Sequence, residues 1–363
     1  MCSIELEIDE KAKLNLDLLW LRDHCRCDLC YDFVHSSRKV NVLDIPDDIA
    51  MKSHKVENKQ LSVIWNDDHQ SNYDFEFLKK FQLKVKSPLA FNLWNKESFT
   101  DAVESSCRFK MEDYVSDVEV QKQVLKSLHV LGVAFIDGSE PTQDCTEVVI
   151  RKLFPVHKNF FGEMWTFSKA QKDLHISEYT NDYLGPHNDN AYFYDAAGLQ
   201  VLQCINHTGT GGEYLLIDGF HVAYKIRHEK NPKVFERLTK TVVGVEFKEG
   251  DRHFKHMAPI INLDPVTNEV MQVRYNMNDR VPFDTKPSDH IREFYNDFKI
   301  ISREFADENN QIVFKLRPGT IMIYDNWRLL HGQLAYTGSR SMTGCYVSRD
   351  EYQSALRVNG FIE

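Results

Sequence analysis

The chain has 363 residues, of which 42% are apolar and 27% charged, a composition typical of a globular protein with a sizeable core. Its 54 acidic residues outnumber 44 basic ones, and the net charge of -10 disfavours nucleic acid or an anionic membrane as the main partner. No apolar run reaches the roughly 18 residues that a membrane span needs, so we expect no membrane partner.

The first predicted region, residues 1–85, is a small β-rich module. Its acidic start lacks the pattern of a secretory signal or an arginine-rich transit peptide, so we expect a cytoplasmic protein. Strand-like stretches at 61–67 and 71–81 are separated by polar turns, as in small β modules. Residues 86–110 are predicted to be a connector.

The third predicted region, residues 111–363, alternates helical and strand-like stretches. A helix over 117–132 has apolar residues at helical spacing and ends at Gly132, and a strand follows at 133–138. Two further helices are predicted at 146–154 and 221–241, and strands at 199–205, 213–219, 259–264, 270–276, 311–316, 320–326 and 343–348. Many short strands, with helices gathered on the N-terminal side, predict a mainly β protein with flanking helices. We expect a double-stranded β-helix (jelly-roll, cupin-like) core rather than a parallel doubly wound sheet.

One histidine stands out in the stretch LGPHNDNAYF, residues 184–193. Of the fifteen histidines, only His187 has a carboxylate, that of Asp189, two positions later. At a strand end this spacing can point an imidazole and a carboxylate at one ion. A second histidine would complete a facial triad, which suits Fe(II) because three adjacent positions stay open. The pattern alone is weak, and an incidental surface pair is the alternative.

Two residues near the C-terminus strengthen this hypothesis. His331 follows a predicted strand and precedes a glycine, far enough along the chain to come from the opposite side of a barrel. A turn histidine satisfied by backbone is the alternative. Arg340 follows shortly after, and the planar fork of an arginine can bind a carboxylate bidentately, although most such arginines lie on a surface. The order His-x-Asp, distal His, then Arg is much rarer than each part.

Several motifs follow one another along the chain in the order that a known family has: WLRDHCRCDLCYD, FFGEMW, EYTNDYLGPHND, GTGGEYLLIDGF, VRYN, DNWRLLHG and GCYVSRDE. Together they resemble the γ-butyrobetaine and trimethyllysine dioxygenase family. Its members are Fe(II)- and 2-oxoglutarate-dependent hydroxylases of carnitine biosynthesis, related to taurine dioxygenase. The resemblance runs from residue 18 to the C-terminus. The segment between His331 and Arg340 looks closer to the trimethyllysine branch.

The resemblance implies a set of cofactors and ligands. His187, Asp189 and His331 would hold Fe(II), and Arg340 and Leu202 would bind 2-oxoglutarate. O2 would be the second cosubstrate and ascorbate the reductant. The family also implies a homodimer. Its trimethyllysine branch is often mitochondrial, which leaves that compartment as the alternative to the cytoplasm.

A cysteine cluster, CRCDLC, contains Cys25, Cys27 and Cys30. Without a secretory signal, cysteines are more typical of thiols or metal ligands than of disulfides. A closed tetrahedral zinc site needs a fourth ligand. The family's structural zinc site uses three cysteines and one histidine, which implies His69. His24 as the fourth ligand, or free thiols, are the alternatives. Cys27 is not kept by all trimethyllysine-type relatives, so its presence favours the butyrobetaine branch mildly.

The resemblance further implies a site for a trimethylammonium group, which aromatic faces recognise by cation–π attraction. Phe161, Trp165, Tyr179 and Tyr346 would form this cage. From spacing alone, Phe161 and Trp165 would share one face of a helix, and such a pair is more often part of a core. Asn276 is the candidate for contacting the substrate's carboxylate end, with a turn asparagine as the alternative.

Two departures from the family pattern bear on the function. Phe161 stands where relatives usually have Tyr, and Tyr214 stands where relatives often have a Thr or Ser that helps to hold 2-oxoglutarate. The first hypothesis is hydroxylation of N6,N6,N6-trimethyllysine at C3. The rivals are γ-butyrobetaine hydroxylation to carnitine and hydroxylation of another small betaine-like or acidic substrate. A non-catalytic zinc-stabilised binding protein would lack part of the triad or Arg340, and a cupin-like lyase or isomerase would not need that arginine.

Overall fold

The computed structural model describes residues 3–9, 12–81, 90–168, 181–283 and 288–362. The chain divides into two compact units, Met1–Lys86 and Ser87–Glu363. Among the described residues, none of the helices has the length and apolar content that a membrane crossing requires.

The first unit is built from short antiparallel strands and short helices. Its elements are β1 (Ser3–Asp9), β2 (Ala12–Asp17), α1 (Leu18–Asp23), β3 (Tyr31–Asp32), β4 (Ser37–Arg38), β5 (Met51–Glu57), β6 (Gln60–Trp65), β7 (Gln70–Asp74) and α2 (Phe75–Lys80). Strand β6 buries Leu61, Val63 and Trp65 on one face, as the alternation of apolar residues predicted. The strand predicted over 71–81 is wrong in its second half, because Phe75 begins a helix that buries apolar residues at helical spacing.

The second unit contains the remaining elements. They are α3 (Asp101–Ser106), β8 (Arg108–Lys110), α4 (Met111–Ser116), α5 (Val118–Val130), β9 (Val133–Asp137), α6 (Gln143–Arg151), β10 (Met164–Ser168), β11 (Leu184–His187), β12 (Leu199–His207), β13 (Tyr214–Asp218), α7 (Gly219–Lys225), α8 (Pro232–Leu238), β14 (Val242–Glu249), β15 (Arg252–Pro259), β16 (Ile261–Leu263), β17 (Val270–Val273), α9 (Ser288–Ala306), β18 (Gln311–Phe314), β19 (Thr320–Asp325), β20 (Leu329–Gln333), β21 (Arg340–Val347) and α10 (Arg349–Val358).

Two sheets form the centre of this unit. The larger has the strand order β10-β21-β12-β19-β9-β8, and the smaller has the order β11-β20-β13-β18. All of these pairs are antiparallel except β8 with β9. Side chains alternate along β12: Leu202 joins a core to which both sheets contribute, whereas Val201 joins the core under the flanking helices. This architecture confirms the predicted sheet-rich core with flanking helices and is consistent with a jelly-roll.

The distribution of helices differs from the prediction in one respect. Helices α9 and α10 lie late in the chain, so the helices are not gathered on the N-terminal side. Strand β8, inside the predicted connector, forms the edge of the larger sheet by pairing with β9. Helix α5 ends at Val130, close to its predicted end at Gly132, whose φ of +80° suits a glycine.

A fully buried ion pair lies beside the smaller sheet. Nη2 of Arg328 lies 2.7 Å from Oδ2 of Asp218, and neither side chain is exposed. Asp218 also caps α7 by accepting the backbone N–H groups of Phe220 and His221. The guanidinium donates to the carbonyls of Asn92, His129 and Val130, so that its donors are satisfied. The pair therefore joins β13, the start of β20 and the segment before α3.

Candidate active site

The pairing of β11 with β20 brings two histidines opposite each other. His187, the last residue of β11, is in register with His331 on β20. Both side chains are buried, and their ring centroids lie 4.2 Å apart. Asp189 lies two residues beyond His187, at the same end of the strand. Residues that are far apart in the sequence thus meet at one point, but His331 comes from the strand next to that of His187 in the same sheet and not, as expected, from the opposite side of a barrel.

The three side chains have the spacing of ligands to one ion. Oδ1 of Asp189 lies 3.3 Å from Nε2 of His187 and 3.6 Å from Nε2 of His331. Adjacent ligands of a six-coordinate ion with bonds near 2.1 Å lie about 3 Å apart, so small shifts would close the set around a metal. Nδ1 of His187 donates to the carbonyl of Gly185 at 2.9 Å, which directs Nε2 toward Asp189.

The protonation states of two of these groups suit metal binding. Burial, with His187 beside it, lowers the pKa of His331 to about 3, so its imidazole is neutral at neutral pH. Burial alone would raise the pKa of Asp189, but His331, His187 and the Tyr346 hydroxyl more than offset that effect. The net result holds the pKa of Asp189 well below its usual range, and the carboxylate is ionised.

Two asparagines hold the turn that carries Asp189. Nδ2 of Asn188 donates to the carbonyls of Asn326 and Leu329, at 2.7 and 2.9 Å. Oδ1 of Asn326 accepts the backbone N–H of Asp189, and its Nδ2 donates to the carbonyl of Asp189. The two side chains therefore fix the backbone on both sides of the carboxylate. Sequence reasoning missed both residues, although Asn188 is the middle residue of His-x-Asp and Asn326 lies in DNWRLLHG.

Tyr346 makes a contact that the sequence did not predict. Its hydroxyl donates to Oδ2 of Asp189 at 2.7 Å, and the side chain is buried on β21. Oδ1, the oxygen nearer to both histidines, is left to face them. The hydroxyl therefore orients the carboxylate, in addition to any role of the aromatic ring.

A cavity of about 320 Å³ opens beside the triad. Among its lining residues are seven aromatic side chains: Phe161, Trp165, Phe167, Tyr192, Tyr214, Phe247 and Tyr346. Phe161, Trp165 and Tyr346 were predicted as cage residues, and Tyr179 lies outside the described residues. The sequence did not predict Phe247 and Tyr192 as lining residues, because no local pattern shows that β14 lies next to the loop after Asp189.

The predicted helix through Phe161 and Trp165 is wrong. A tight turn with φ of +98° at Gly162 separates them, and Trp165 lies on β10. The Trp165 ring is 5.7 Å from Tyr346, whereas Phe161 contacts Phe247 at 6.0 Å. The indole lies so close to Gly344 that a Cβ there would come within 2.4 Å of it. The absence of a side chain at that position lets the ring lie over β21.

The cavity lining also includes polar and charged residues: Asn276, Glu246, Lys248 and Asp279. Asn276 forms a turn, since its Oδ1 accepts the N–H groups of the residues that follow and its Nδ2 donates to Asp279. Asn276 therefore both forms a turn and lines the cavity, so the two alternatives for this residue do not exclude each other. Lys248 donates to Glu246 at 3.1 Å.

Arg340 is buried and held by its neighbours. Its guanidinium lies 4.3 Å from the ring centroid of Tyr336 and 5.5 Å from that of Tyr214, and Nη2 donates to Oε1 of Gln333. Nε and Nη1 are buried without a hydrogen-bond partner in the described part of the chain. Tyr214, Gln333 and Leu202 line the cavity. The ring of Tyr214 thus faces the guanidinium instead of pointing away from it.

The cysteine cluster of the first unit converges on one histidine. Nε2 of His69 lies 3.2 Å from the sulfur of Cys25 and 3.5 Å from the sulfurs of Cys27 and Cys30. In a tetrahedral zinc site with bonds near 2.3 and 2.1 Å, sulfur and nitrogen ligands lie about 3.6 Å apart. His24 is engaged elsewhere, because its ring stacks on Trp20 and its Nδ1 contacts the carbonyl of that residue at 2.8 Å.

Similarity to known proteins extends over nearly the whole chain. A family model described as "Taurine catabolism dioxygenase TauD, TfdA family" matches residues 95–346, and one described as "Gamma-butyrobetaine hydroxylase-like, N-terminal" matches residues 2–79. "Trimethyllysine dioxygenase, mitochondrial" of Gallus gallus is 32% identical over 96% of this chain and 84% of its own length. "Gamma-butyrobetaine dioxygenase" of Homo sapiens is 28% identical over 96% of this chain and 92% of its own. The structure of the PvcB protein from Pseudomonas aeruginosa aligns at a TM-score of 0.48 with 16% identity, covering 64% of this chain and 81% of that chain, a likeness too low to support an argument.

Proposed function

Because the chain belongs to the TauD, TfdA dioxygenase family, we propose that it is an Fe(II)- and 2-oxoglutarate-dependent hydroxylase of N6,N6,N6-trimethyllysine. The observation that carries this proposal is the buried cluster of His187, Asp189 and His331 beside an aromatic cavity. Two imidazoles and one carboxylate on one side of an ion are the donor set of non-haem Fe(II) oxygenases. The described residues contribute no fourth protein ligand, which leaves positions for the cosubstrate and oxygen.

The side chains around Arg340 fit 2-oxoglutarate. A buried guanidinium with two donors that lack a partner suits a carboxylate, which an arginine can bind bidentately. Tyr336 and Tyr214 hold the guanidinium in place through their ring faces. Leu202 supplies an apolar wall for the methylene groups between the two ends of the cosubstrate.

The aromatic part of the cavity fits a trimethylammonium group. Such a group cannot donate hydrogen bonds and is attracted to ring faces. We propose Trp165, Tyr346, Phe161 and Phe247 as its contacts, since all four line the cavity. Phe161 keeps a ring face, and the loss of a hydroxyl relative to the family pattern does not remove this attraction.

The division of labour in the reaction follows from these positions. When bound, Fe(II) supplies the oxygen activation and hydrogen abstraction, and 2-oxoglutarate is decarboxylated to succinate. The chain itself holds the ligands, orients Asp189 through Tyr346, and keeps the reacting carbon of the substrate at a fixed distance from the ion through the aromatic contacts. The burial of His187 and His331 limits the contact of these two side chains with bulk water.

Two observations favour trimethyllysine over γ-butyrobetaine. The chicken trimethyllysine dioxygenase is 32% identical, against 28% for the human γ-butyrobetaine dioxygenase. In addition, the polar lining carries two carboxylates, of Glu246 and Asp279, and one ammonium, of Lys248. An amino-acid end carries an α-ammonium group that γ-butyrobetaine lacks, so its charge suits this surplus of carboxylates.

The remaining predictions become parts of the same proposal. We propose a structural zinc ion bound by Cys25, Cys27, Cys30 and His69, whose closed ligand set would stabilise the fold and take no part in catalysis. We propose domains 1–85 and 111–363; the two compact units support this division, but the predicted connector 86–110 falls almost entirely within the second unit. The chicken relative is a mitochondrial protein, which supports the mitochondrial alternative over the cytoplasm. The homodimer and the need for ascorbate stay predictions.

The test is a mass-spectrometric assay of purified protein with Fe(II), ascorbate and 2-oxoglutarate, offering trimethyllysine and γ-butyrobetaine in parallel. We expect hydroxylated trimethyllysine with an equal amount of succinate, and neither product from the matched variant Asp189→Ala. Hydroxylated γ-butyrobetaine alone would move the substrate assignment to the other branch. Absence of succinate under all conditions would contradict the proposed enzyme class.

A further inference from the structure

Gln333 is a cavity residue to which neither the sequence motifs nor the family resemblance gave a role. It lies on β20 two positions after His331, so both side chains point to the same face of the strand. Across the sheet it is in register with Tyr214 on β13 and with Leu184 on β11. The side chain is buried and lines the cavity.

The orientation of its amide is fixed by chemistry. Oε1 of Gln333 accepts a hydrogen bond from Nη2 of Arg340. A guanidinium can only donate, so the oxygen has to face Arg340 and the NH2 group has to face away from it. Nε2 is buried and has no hydrogen-bond partner among the residues that the structure describes.

A buried donor without a partner is costly, and native proteins satisfy nearly all of them. Nε and Nη1 of Arg340 are also buried and have no hydrogen-bond partner among the described residues. Nε and Nη1 of Arg340 lie on different edges of the guanidinium, so one carboxylate would accept from one of these edges together with Nε2 of Gln333, and its roughly four lone pairs allow this. The ligand that fits is therefore an anionic oxygen group at the Arg340 side of the cavity.

We propose that Gln333 is a cosubstrate-binding residue. Its Oε1 orients the Arg340 guanidinium, and its Nε2 donates to the same far carboxylate of 2-oxoglutarate that Arg340 binds. This proposal rests on the proposed function and deepens it. It makes Gln333 a determinant of selectivity for dicarboxylic 2-oxo acids over those with an apolar tail.

The experiment measures binding directly, by calorimetric titration of 2-oxoglutarate into anaerobic, Mn(II)-loaded protein, which does not turn over. Gln333→Glu keeps the acceptor for Arg340 but removes the donor and adds a negative charge. Gln333→Leu removes both functions and covers the case in which the glutamate variant fails to fold. Gln311→Leu is the matched control, because Gln311 lies on β18 of the same sheet and donates to the carbonyl of Phe305 outside the cavity lining.

We expect both Gln333 variants to raise the Kd of 2-oxoglutarate by about 10- to 100-fold, the range for a hydrogen bond to a charged group. The Kd of 2-oxopentanoate, which lacks the far carboxylate, should change by less than about 2-fold, since nothing is lost. The control should leave both constants unchanged. In the oxygenase assay, the KM of the ammonium substrate should stay within about 2-fold of the wild-type value.

Three results would overturn the proposal. Wild-type affinity for 2-oxoglutarate in both variants would remove Gln333 from the site. Equal losses for 2-oxoglutarate and 2-oxopentanoate would show a general packing defect. If the variants raised only the KM of the ammonium substrate, Gln333 would be assigned to binding that substrate instead. Failure of the proposed function is distinguishable from all of these, because wild-type protein itself would then not bind 2-oxoglutarate.

Discussion

Replacing Tyr346 with phenylalanine separates the two roles of this residue. The substitution keeps the ring that lies 5.7 Å from Trp165 and removes only the hydroxyl that donates to Oδ2 of Asp189. Without that hydrogen bond, a nearly buried carboxylate loses one partner and gains freedom to rotate. Its Oδ1 is then no longer held toward the two histidines.

The magnitude follows from the kind of contact that is lost. A hydrogen bond to a charged group contributes about 1.5–3 kcal/mol, and partners of metal-bound carboxylates typically change metal affinity by about 10- to 100-fold. We therefore expect the Kd of Fe(II) to rise by that factor, which corresponds to about 1.4–2.8 kcal/mol. The KM of the trimethylammonium substrate should change by less than about 2-fold, since a phenyl ring keeps the cation–π attraction.

The assay is an anaerobic Fe(II) titration followed by steady-state kinetics at saturating metal. Tyr324→Phe is the matched control: its ring centroid lies 5.2 Å from that of His331, and its hydroxyl donates to Gln200 instead of Asp189. Unchanged Fe(II) affinity in Tyr346→Phe, or an equal loss in the control, would refute the reasoning that the hydroxyl orients Asp189.

Three further predictions follow from the structure. Asp189→Ala should abolish turnover yet leave the circular dichroism spectrum and the Tm near wild-type values, because the side chains of Asn188 and Asn326 hold its turn; a collapse of Tm would contradict this. Cys27→Ser should release zinc, measured by elemental analysis, and lower the free energy of unfolding by more than about 3 kcal/mol, since structural zinc contributes strongly to folding; zinc loss with unchanged stability would argue against a structural role. Arg328→Met should lower the free energy of unfolding, measured by urea denaturation, by about 3–5 kcal/mol, because it leaves the buried Asp218 carboxylate unpaired. A loss below about 1 kcal/mol would contradict this prediction.

The cluster of candidate metal ligands could be predicted from the sequence, whereas the residues that support it could not. His-x-Asp followed by a distal histidine and an arginine is a pattern of residue types, and the resemblance to a known family fixed the roles. The pairing of His187 with His331 is a long-range strand register, which no local signal encodes. The position of Gln333 depends on that register, and the contact of Tyr346 depends on how the two sheets meet, so both became visible only in three dimensions.

Local patterns failed where two periodicities were compatible with the same residues. Phe161 and Trp165 have helical spacing, but Gly162 adopts a positive φ and breaks the segment into a turn and a strand. Helix α9 was not predicted, although its buried Phe294, Phe298 and Phe305 recur at helical intervals.

The asparagines around Asp189 have a consequence for how this protein could evolve. Because Asn188 and Asn326 hold the turn through backbone atoms, the fold there does not depend on the carboxylate that the turn presents. A single substitution at Asp189 could therefore end the chemistry while the cavity and its aromatic lining persist. A duplicated copy of the gene would have a one-step route from oxygenase to a receptor for small ammonium compounds. The reverse route would be equally short, since the scaffold would already be in place.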